Sequence, residues 1–458
     1  MQRYSFIYKM YTRLFIVLIL HSSCKKFLDI APNPNQVTTD QVFSNDKTAL
    51  SAMSGIYTQL LNNLSLTSAG TSVYAGLCAD EIYNTRSNAT DDPFYTNSLL
   101  ADNNTVNLNF YRFGYKVIYQ ANSILSGLEK STGVSETVKQ QLTGEAKVCR
   151  AFLYFYLVNL FGDVPLITTT GYEENARQGR SAVGSIYEQM EKDLKEAQQV
   201  LPSNYPSANK GRPNKWVATA LLARVYAYEQ KWPEAETEAM KVITQGSYQL
   251  NNDLNSVFLT GNKETIWELT GDRGNAAEGV VFIPFLFFIP PSYNLSPSLV
   301  NAFETNDQRR TSWVKTVTLN GVTYQYPFKY KIETQEPMKE KTNLLRLAEQ
   351  LLIAAEAMAK QNKLNESKDR LNLIRNRAGL DNTTATDQTS LLSAIEQERR
   401  IEFFCEWGHR WMDLKRTGRA EEVLSPIKGN KWQGTDVLWP IPYSELQLNT
   451  ALTQNPGY

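Results

Sequence analysis

From Asp40 onward, apolar residues return every three or four positions in segment after segment, and that period commits most of the chain to α-helices. Leu50, Met53, Ile56, Tyr57 and Leu60 form one stripe, and Tyr115, Ile118, Tyr119, Asn122 and Leu125 fall on one face of a second. A longer helix is expected from about Glu136 to Phe161. It stops at Gly162-Asp163-Val164-Pro165, where glycine and proline cannot continue it. Ile186, Met190, Leu194, Ala197 and Leu201 repeat the pattern.

Two later stretches read as helix–turn–helix units. In the first, residues 216–229 make one helix, Lys231-Trp232 the turn and residues 233–244 the next. Pro233 takes the first helical position, where a missing N–H costs least, and Gly246 is expected to supply a left-handed cap. In the second, Leu344, Leu347, Leu351, Ala355 and Met358 form a stripe, and Asn365 is the expected N-cap of a helix that carries Leu371 and Ile374 and ends at Gly379. Both units have about the length of a tetratricopeptide repeat, whose antiparallel helix pairs stack to bury a continuous face. A generic helical bundle is the alternative that the same spacing allows.

The helical pattern breaks twice, over residues 64–112 and 247–342. Segments of that length are too long to be featureless loops in a compact domain. The second holds Val317-Thr318-Leu319-Asn320-Gly321-Val322-Thr323-Tyr324, in which Asn-Gly between alternating apolar residues signals a β-hairpin. The expected architecture is mostly α: tetratricopeptide-like helix pairs in an α-α superhelix, long irregular insertions and one short hairpin. Residues 40–458 are expected to form a single domain, with an N-terminal half of about 40–246 and a C-terminal half of about 247–458.

Forty-seven basic residues balance forty-seven acidic ones, and no basic cluster marks a nucleic-acid partner. The four cysteines, Cys24, Cys78, Cys149 and Cys405, show no C-x-x-C spacing, so neither a zinc site nor a redox motif is indicated. His21 and His409 are the only histidines, which leaves little material for histidine-based catalysis. No metal or cofactor is expected.

The N-terminus reads as an address. Arg3, Lys9 and Arg13 precede the run Leu14-Phe15-Ile16-Val17-Leu18-Ile19-Leu20, which at seven residues falls well short of the roughly 20 needed to span a membrane. It fits a secretory h-region, and His21-Ser22-Ser23-Cys24 resembles a bacterial lipobox with Cys24 as the acylated residue. Residues 1–23 are then a signal peptide and residues 24–39, rich in proline and amides, a lipidated tether. A plain secretory signal with an incidental cysteine is the alternative.

The last third carries a resemblance. Leu345-Arg346-Leu347-Ala348-Glu349, Ala354-Ala355-Glu356-Ala357 and Leu371-Asn372-Leu373-Ile374-Arg375-Asn376-Arg377-Ala378-Gly379-Leu380 come first. Next is the block from Glu398-Arg399-Arg400-Ile401-Glu402-Phe403-Phe404 to Trp411-Met412-Asp413-Leu414-Lys415-Arg416. The endings Leu438-Trp439-Pro440-Ile441-Pro442 and Asn455-Pro456-Gly457-Tyr458 complete the series. Together with Arg150-Ala151-Phe152-Leu153-Tyr154-Phe155 and Leu160-Phe161-Gly162-Asp163-Val164-Pro165-Leu166, they resemble the SusD/RagB family over essentially the whole mature chain. Two departures stand out: Trp407 sits between Glu406 and Gly408, and Thr450 follows Asn449 where the family often has proline.

The resemblance implies an outer-membrane lipoprotein of a Bacteroidetes-like bacterium, facing the cell exterior. It further implies a non-catalytic nutrient-binding protein that takes up oligosaccharide and lids a SusC-type TonB-dependent transporter. Glu398, Arg399, Arg400, Glu402, Glu406 and Arg410 stand at spacings that permit ion pairs between neighbouring turns, as do Arg410 and Asp413, and are read as structural. Trp439-Pro440 and the Pro-Gly-Tyr end are expected to pin the terminus.

A sugar offers hydroxyls at its rim and C–H groups on its face, so its site needs aromatic platforms beside paired donors and acceptors. The two interruptions supply both. The candidate ligand-binding residues are Asp80, Arg86, Tyr95 and Asn97 from the first, with Phe285 and Tyr293 from the second. The Phe-rich run around Phe285 reads equally as a buried strand or a transporter-facing patch. A lipoprotein glycosidase, which needs a carboxylate pair at fixed separation, and a purely protein-binding helical scaffold are the competing functions.

Overall fold

The computed structural model of the chain describes residues 38–62, 64–269, 275–332 and 339–458. The expected signal peptide, the lipidation site Cys24 and all but the end of the tether lie outside the described residues. The chain separates into two units, Met1–Val42 and Phe43–Tyr458. Within the first, Thr39–Val42 is one helical turn.

The second unit is built on long helices. They are α1 (Asp46–Leu60), α2 (Gly70–Cys78), α3 (Arg112–Lys130), α4 (Glu136–Phe161), α5 (Val183–Val200), α6 (Lys215–Tyr228) and α7 (Trp232–Gln245). After the second interruption come α8 (Leu347–Lys360), α9 (Leu364–Arg377), α10 (Gln388–Glu402) and α11 (His409–Arg416). From α3 to α9 each helix packs against the next, so that α7 meets α8 across the whole second interruption. This is the stacked-pair arrangement expected of tetratricopeptide-like units. Helix α6 is apolar nearly all round and is accordingly enclosed from Val217 to Ala227.

Two buried forks lock neighbouring helices. Arg150 on α4 donates to both oxygens of Asp193 on α5, at 2.8 and 2.6 Å. Arg224 on α6 does the same to Glu349 on α8, at 2.6 and 2.7 Å. A guanidinium matches a carboxylate bidentately, which fixes rotation as well as distance. The blocks containing Arg150 and Glu349 are thus framework.

Three local expectations need correcting. Helix α3 buries Phe113, Val117, Ile118, Ala121, Ile124 and Leu128, while Tyr119 is 52% exposed and Leu125 only half-buried. Contact with α4 rotates the inward stripe away from the tyrosines. Gly246 is right-handed, at φ −77°, and the left-handed residue is Ser247, at φ 57°. A glycine is still required there, because a Cβ would come within 2.5 Å of the Val242 carbonyl oxygen and 2.6 Å of the Tyr248 ring. Asn365 does not cap α9, which begins at Leu364 with Lys363 in the cap position. The left-handed Asn362, at φ 60°, turns the chain sharply enough to start that helix early.

Short strands β1 (Ile82–Asn84), β2 (Thr265–Glu268), β3 (Tyr293–Leu295), β4 (Val314–Leu319), β5 (Val322–Pro327) and β6 (Asn343–Arg346) pair in twos. The β4–β5 hairpin is the expected one, turning at Asn320 and Gly321 with φ of 50° and 78°, as a primed turn requires. Strands β1 and β3 are antiparallel, with Ile82 opposite Leu295 and Asn84 opposite Tyr293. One strand comes from each interruption, so the two irregular segments are joined into one structure.

Cys78, Cys149 and Cys405 are buried and free. Trp407, the extra residue of the C-terminal block, is left-handed at φ 50° and plugs the core. Its indole N–H donates to the Asn343 carbonyl at 2.6 Å, and its ring lies 5.5 Å from that of Phe152. The terminus is pinned as expected: the Asn455 amide donates to the carbonyls of Phe161 and Trp439, and the Tyr458 hydroxyl to that of Leu438.

Candidate ligand-binding cleft

The β1–β3 ribbon carries a cleft. Beyond β1, the Thr85 N–H donates to the Ser292 carbonyl at 2.8 Å, which extends the pairing by one bond. The chain then folds on itself. The Asn88 side-chain oxygen accepts from the N–H groups of Thr90 and Asp91, at 3.1 and 2.9 Å. The Asn84 amide donates to the Arg86 carbonyl and to Asp92, at 2.9 and 2.7 Å. Asparagine side chains that imitate a backbone turn make such a loop stiff. Opposite it, residues 289–292 lead into β3, with the short helix Ala277–Phe282 behind them.

The space between is a cleft of about 410 Å³. Arg86, Asn88 and Asp91 line one wall, and Val280, Val281, Ile289 and Pro290 the other. The two walls therefore differ in chemistry: donors and acceptors face an apolar surface.

Of the candidate residues, Arg86 and Tyr293 are brought together as lining of this cleft. Arg86 is exposed, and its guanidinium makes no ion pair or hydrogen bond among the described residues. The Tyr293 ring is buried, and its hydroxyl donates to Asp91 at 3.2 Å. Burial, then the nearby Asp91 charge, push the Tyr293 phenol well above its ordinary value, so it remains a donor. Phe285 is 81% exposed, with Phe287 and Phe288 beside it, on the loop that runs into the cleft at Ile289. The Phe-rich run is thus neither buried nor a strand.

The other three candidates lie elsewhere. Tyr95 is half-buried on the short helix Asp92–Tyr95, with the Lys428 ammonium 4.6 Å from its ring. Asn97 is buried and left-handed, at φ 52°. Asp80 is buried beneath the ribbon and held by arginines: Arg410 reaches both of its oxygens, at 2.7 and 3.2 Å, and Arg400 one, at 2.6 Å. Burial would raise the Asp80 carboxyl, but Arg410 and Arg400 outweigh it and hold it below the usual range.

Asn88, Asp91 and the Ile289-Pro290-Pro291 edge went unnoticed in the sequence. The Asn-x-x-Asp turn spacing beside Arg86 is the signal that was available for the first two.

Except for Arg416 with Asp413 on α11, the C-terminal charges pair across elements rather than turn to turn along one helix. Arg399 bonds Asp413 at 2.8 and 3.1 Å, and Asp413 also receives Arg416 rather than Arg410. Glu402 accepts from Arg309, Arg346 and Arg377, while Glu406 takes Lys329 and Arg346. These side chains are almost fully buried. A charge in a low-dielectric interior needs a partner at contact distance, and packing supplies it from other elements. Among the described residues, no group of three or more His, Cys, Asp or Glu is placed to hold a metal ion.

Two models of one family match this chain. One, described as starch-binding and associating with the outer membrane, covers residues 26–227, and that of the SusD family covers residues 306–458. The chain belongs to the SusD/RagB family. SusD-like protein P25 of Formosa agariphila is 27% identical, over 95% of this chain and 97% of the relative. The starch-binding protein SusD of Bacteroides thetaiotaomicron is 24% identical, over 76% and 78%. Among solved structures, a SusD superfamily protein from Parabacteroides distasonis superposes with a TM-score of 0.80 at 24% identity, covering 92% of this chain and all of that one. A laminarin-binding SusD-like protein gives 0.76 at 25% identity, over 91% and 100%. SusD proteins bind carbohydrate and associate with the outer membrane.

Proposed function

We propose that this SusD-family protein captures oligosaccharide, unaltered, in the cleft between residues 85–91 and 289–293. The observation that carries the proposal is the pairing of a polar wall with an apolar one. A pyranose ring carries both kinds of surface, its hydroxyls suited to the Arg86 guanidinium and its C–H face to Val280, Ile289 and the phenylalanine loop. Asp91 is the one carboxylate lining this cleft among the described residues, and it is engaged by Tyr293. Retaining and inverting hydrolysis both call for two carboxylates across the bond, so the arrangement favours capture over cleavage. Acylated Cys24 would hold the body at the outer face of the outer membrane, where it delivers ligand to a SusC-type TonB-dependent transporter as its lid. Phe285 and its neighbours would then contact sugar at the mouth of the cleft.

Delivery needs reversible binding, so the expected affinity is micromolar or weaker; about 1 μM corresponds to roughly −8 kcal/mol. The test is calorimetry with oligosaccharides found on a glycan array. Arg86→Ala should weaken binding about tenfold or more, roughly 1.4 kcal/mol, with the melting midpoint unchanged because the side chain is exposed. Unaltered affinity, release of shortened products or nanomolar affinity for free oligosaccharide would each contradict the proposal.

A further inference from the structure

A second concavity of about 800 Å³ lies apart from the residues of the cleft. Its walls are the start of α3, the segment 165–176 and the C-terminal segment 445–452. Tyr111, Tyr115 and Tyr119 stand at four-residue spacing along one wall, and Tyr172 faces them from another. Two of the rings are committed to the fold: Tyr111 is buried 5.0 Å from Tyr115, whose hydroxyl donates to the Pro165 carbonyl at 2.8 Å. The other two are not. Tyr119 is 52% exposed and Tyr172 83%. Arg112 and Glu445, 3.4 Å apart, place a guanidinium and a carboxylate on the same lining.

We infer that this tyrosine-lined groove is a second saccharide subsite, which holds a stretch of polysaccharide while another stretch occupies the cleft. The inference rests on the function proposed above. Tyr119 and Tyr172 offer exposed flat faces with polar tips, a combination suited to a ring with C–H faces and a hydroxyl rim. Pro165, Ile167, Leu448 and Leu452 extend the apolar surface beside the rings for sugar C–H faces, and Arg112 and Glu445 put paired charge on the same wall. The two sites are also fixed to one frame. Phe94, three residues after Asp91, stacks edge-on against Trp439 at 5.2 Å, Trp439 meets Phe161 at 6.1 Å, and Phe161 meets Tyr111 at 5.2 Å. That run of buried rings holds the groove at a set spacing from the cleft. A chain long enough to reach both gains effective concentration at the second site without any change in either one.

The test uses the intact chain and a panel of soluble glucans, mannans, galactans and xylans in native affinity gels. Calorimetry with a trisaccharide of whichever polysaccharide retards the protein provides the second readout. Tyr119→Ala/Tyr172→Ala, both at exposed positions, should weaken retardation by polysaccharide about tenfold or more while leaving trisaccharide affinity as in the wild type. Arg86→Ala should reduce both. Wild-type retardation of the double variant would overturn the groove and leave the cleft standing. Loss of co-purification with an outer-membrane β-barrel, with retardation intact, would assign the groove to a protein and overturn the inference. If no polysaccharide in the panel retards the wild type, the groove and the cleft fall together.

Discussion

Glu402→Gln should lower the free energy of unfolding by roughly 3–5 kcal/mol, the range for removing one partner from a buried ion pair. Glu402 is fully buried on α10 and receives guanidinium groups from Arg309, Arg346 on β6 and Arg377 on α9. The last two are shared with Glu264 just before β2, so the carboxylate ties the second interruption to the C-terminal helices. An amide of the same shape keeps the packing and leaves more positive charge than negative in the interior. The pH dependence follows from the same geometry. Burial alone would raise the carboxyl, but Arg377, Arg346, Arg309 and Lys329 outweigh it and hold it well below the usual range. A carboxylate depressed in the folded state contributes fully above its unfolded value, about 4.3, and that contribution fades as pH falls toward the folded value. Urea unfolding of wild type and variant should therefore differ most above about pH 5 and converge on acidification. An equal gap at pH 7 and pH 3 would contradict this account.

The second large effect belongs to Asp80. Asp80→Asn should cost about 3 kcal/mol, near the lower end for a broken buried pair, because the Arg400 side chain keeps some contact with solvent. Asp80 stands two residues before β1, and its backbone carbonyl accepts from the Ser296 hydroxyl just beyond β3. The two arginines thus fasten the floor of the cleft to α10 and α11. A positioning role predicts lower stability with oligosaccharide affinity near that of the wild type, measured well below the melting midpoint. Reduced affinity with undiminished stability would instead make Asp80 a ligand group.

Legibility in the sequence followed the range of the interaction. The bounds of α4 were readable because Gly162 and Pro165 end it locally, and the β4–β5 turn because Asn320-Gly321 specifies its own backbone. The pairing of β1 with β3 was not. Three-residue strands separated by two hundred positions leave no periodic trace, and their partnership is decided by tertiary packing. The same limit applied to charge. Spacing on α10 suggested pairs one turn apart, since nothing local tells that Glu398, Glu402 and Glu406 point into the interior. At the cleft, two of the residues singled out for their chemistry, Arg86 and Tyr293, converge although they come from different interruptions. Asp80 has equally suitable chemistry, but its burial removes it from solvent. Tyr115 and Tyr119 read as core for the reason that hides the groove: an aromatic stripe at helical spacing looks the same whether it faces protein or water.

Capture in a cleft built jointly by the two interruptions is tested most directly by a crystal structure of the protein with an oligosaccharide that it binds in solution. Sugar is expected against Arg86, with one ring face on the Ile289-Pro290 edge. Sugar bound elsewhere on the protein, with this cleft holding only solvent at saturating ligand, would contradict it.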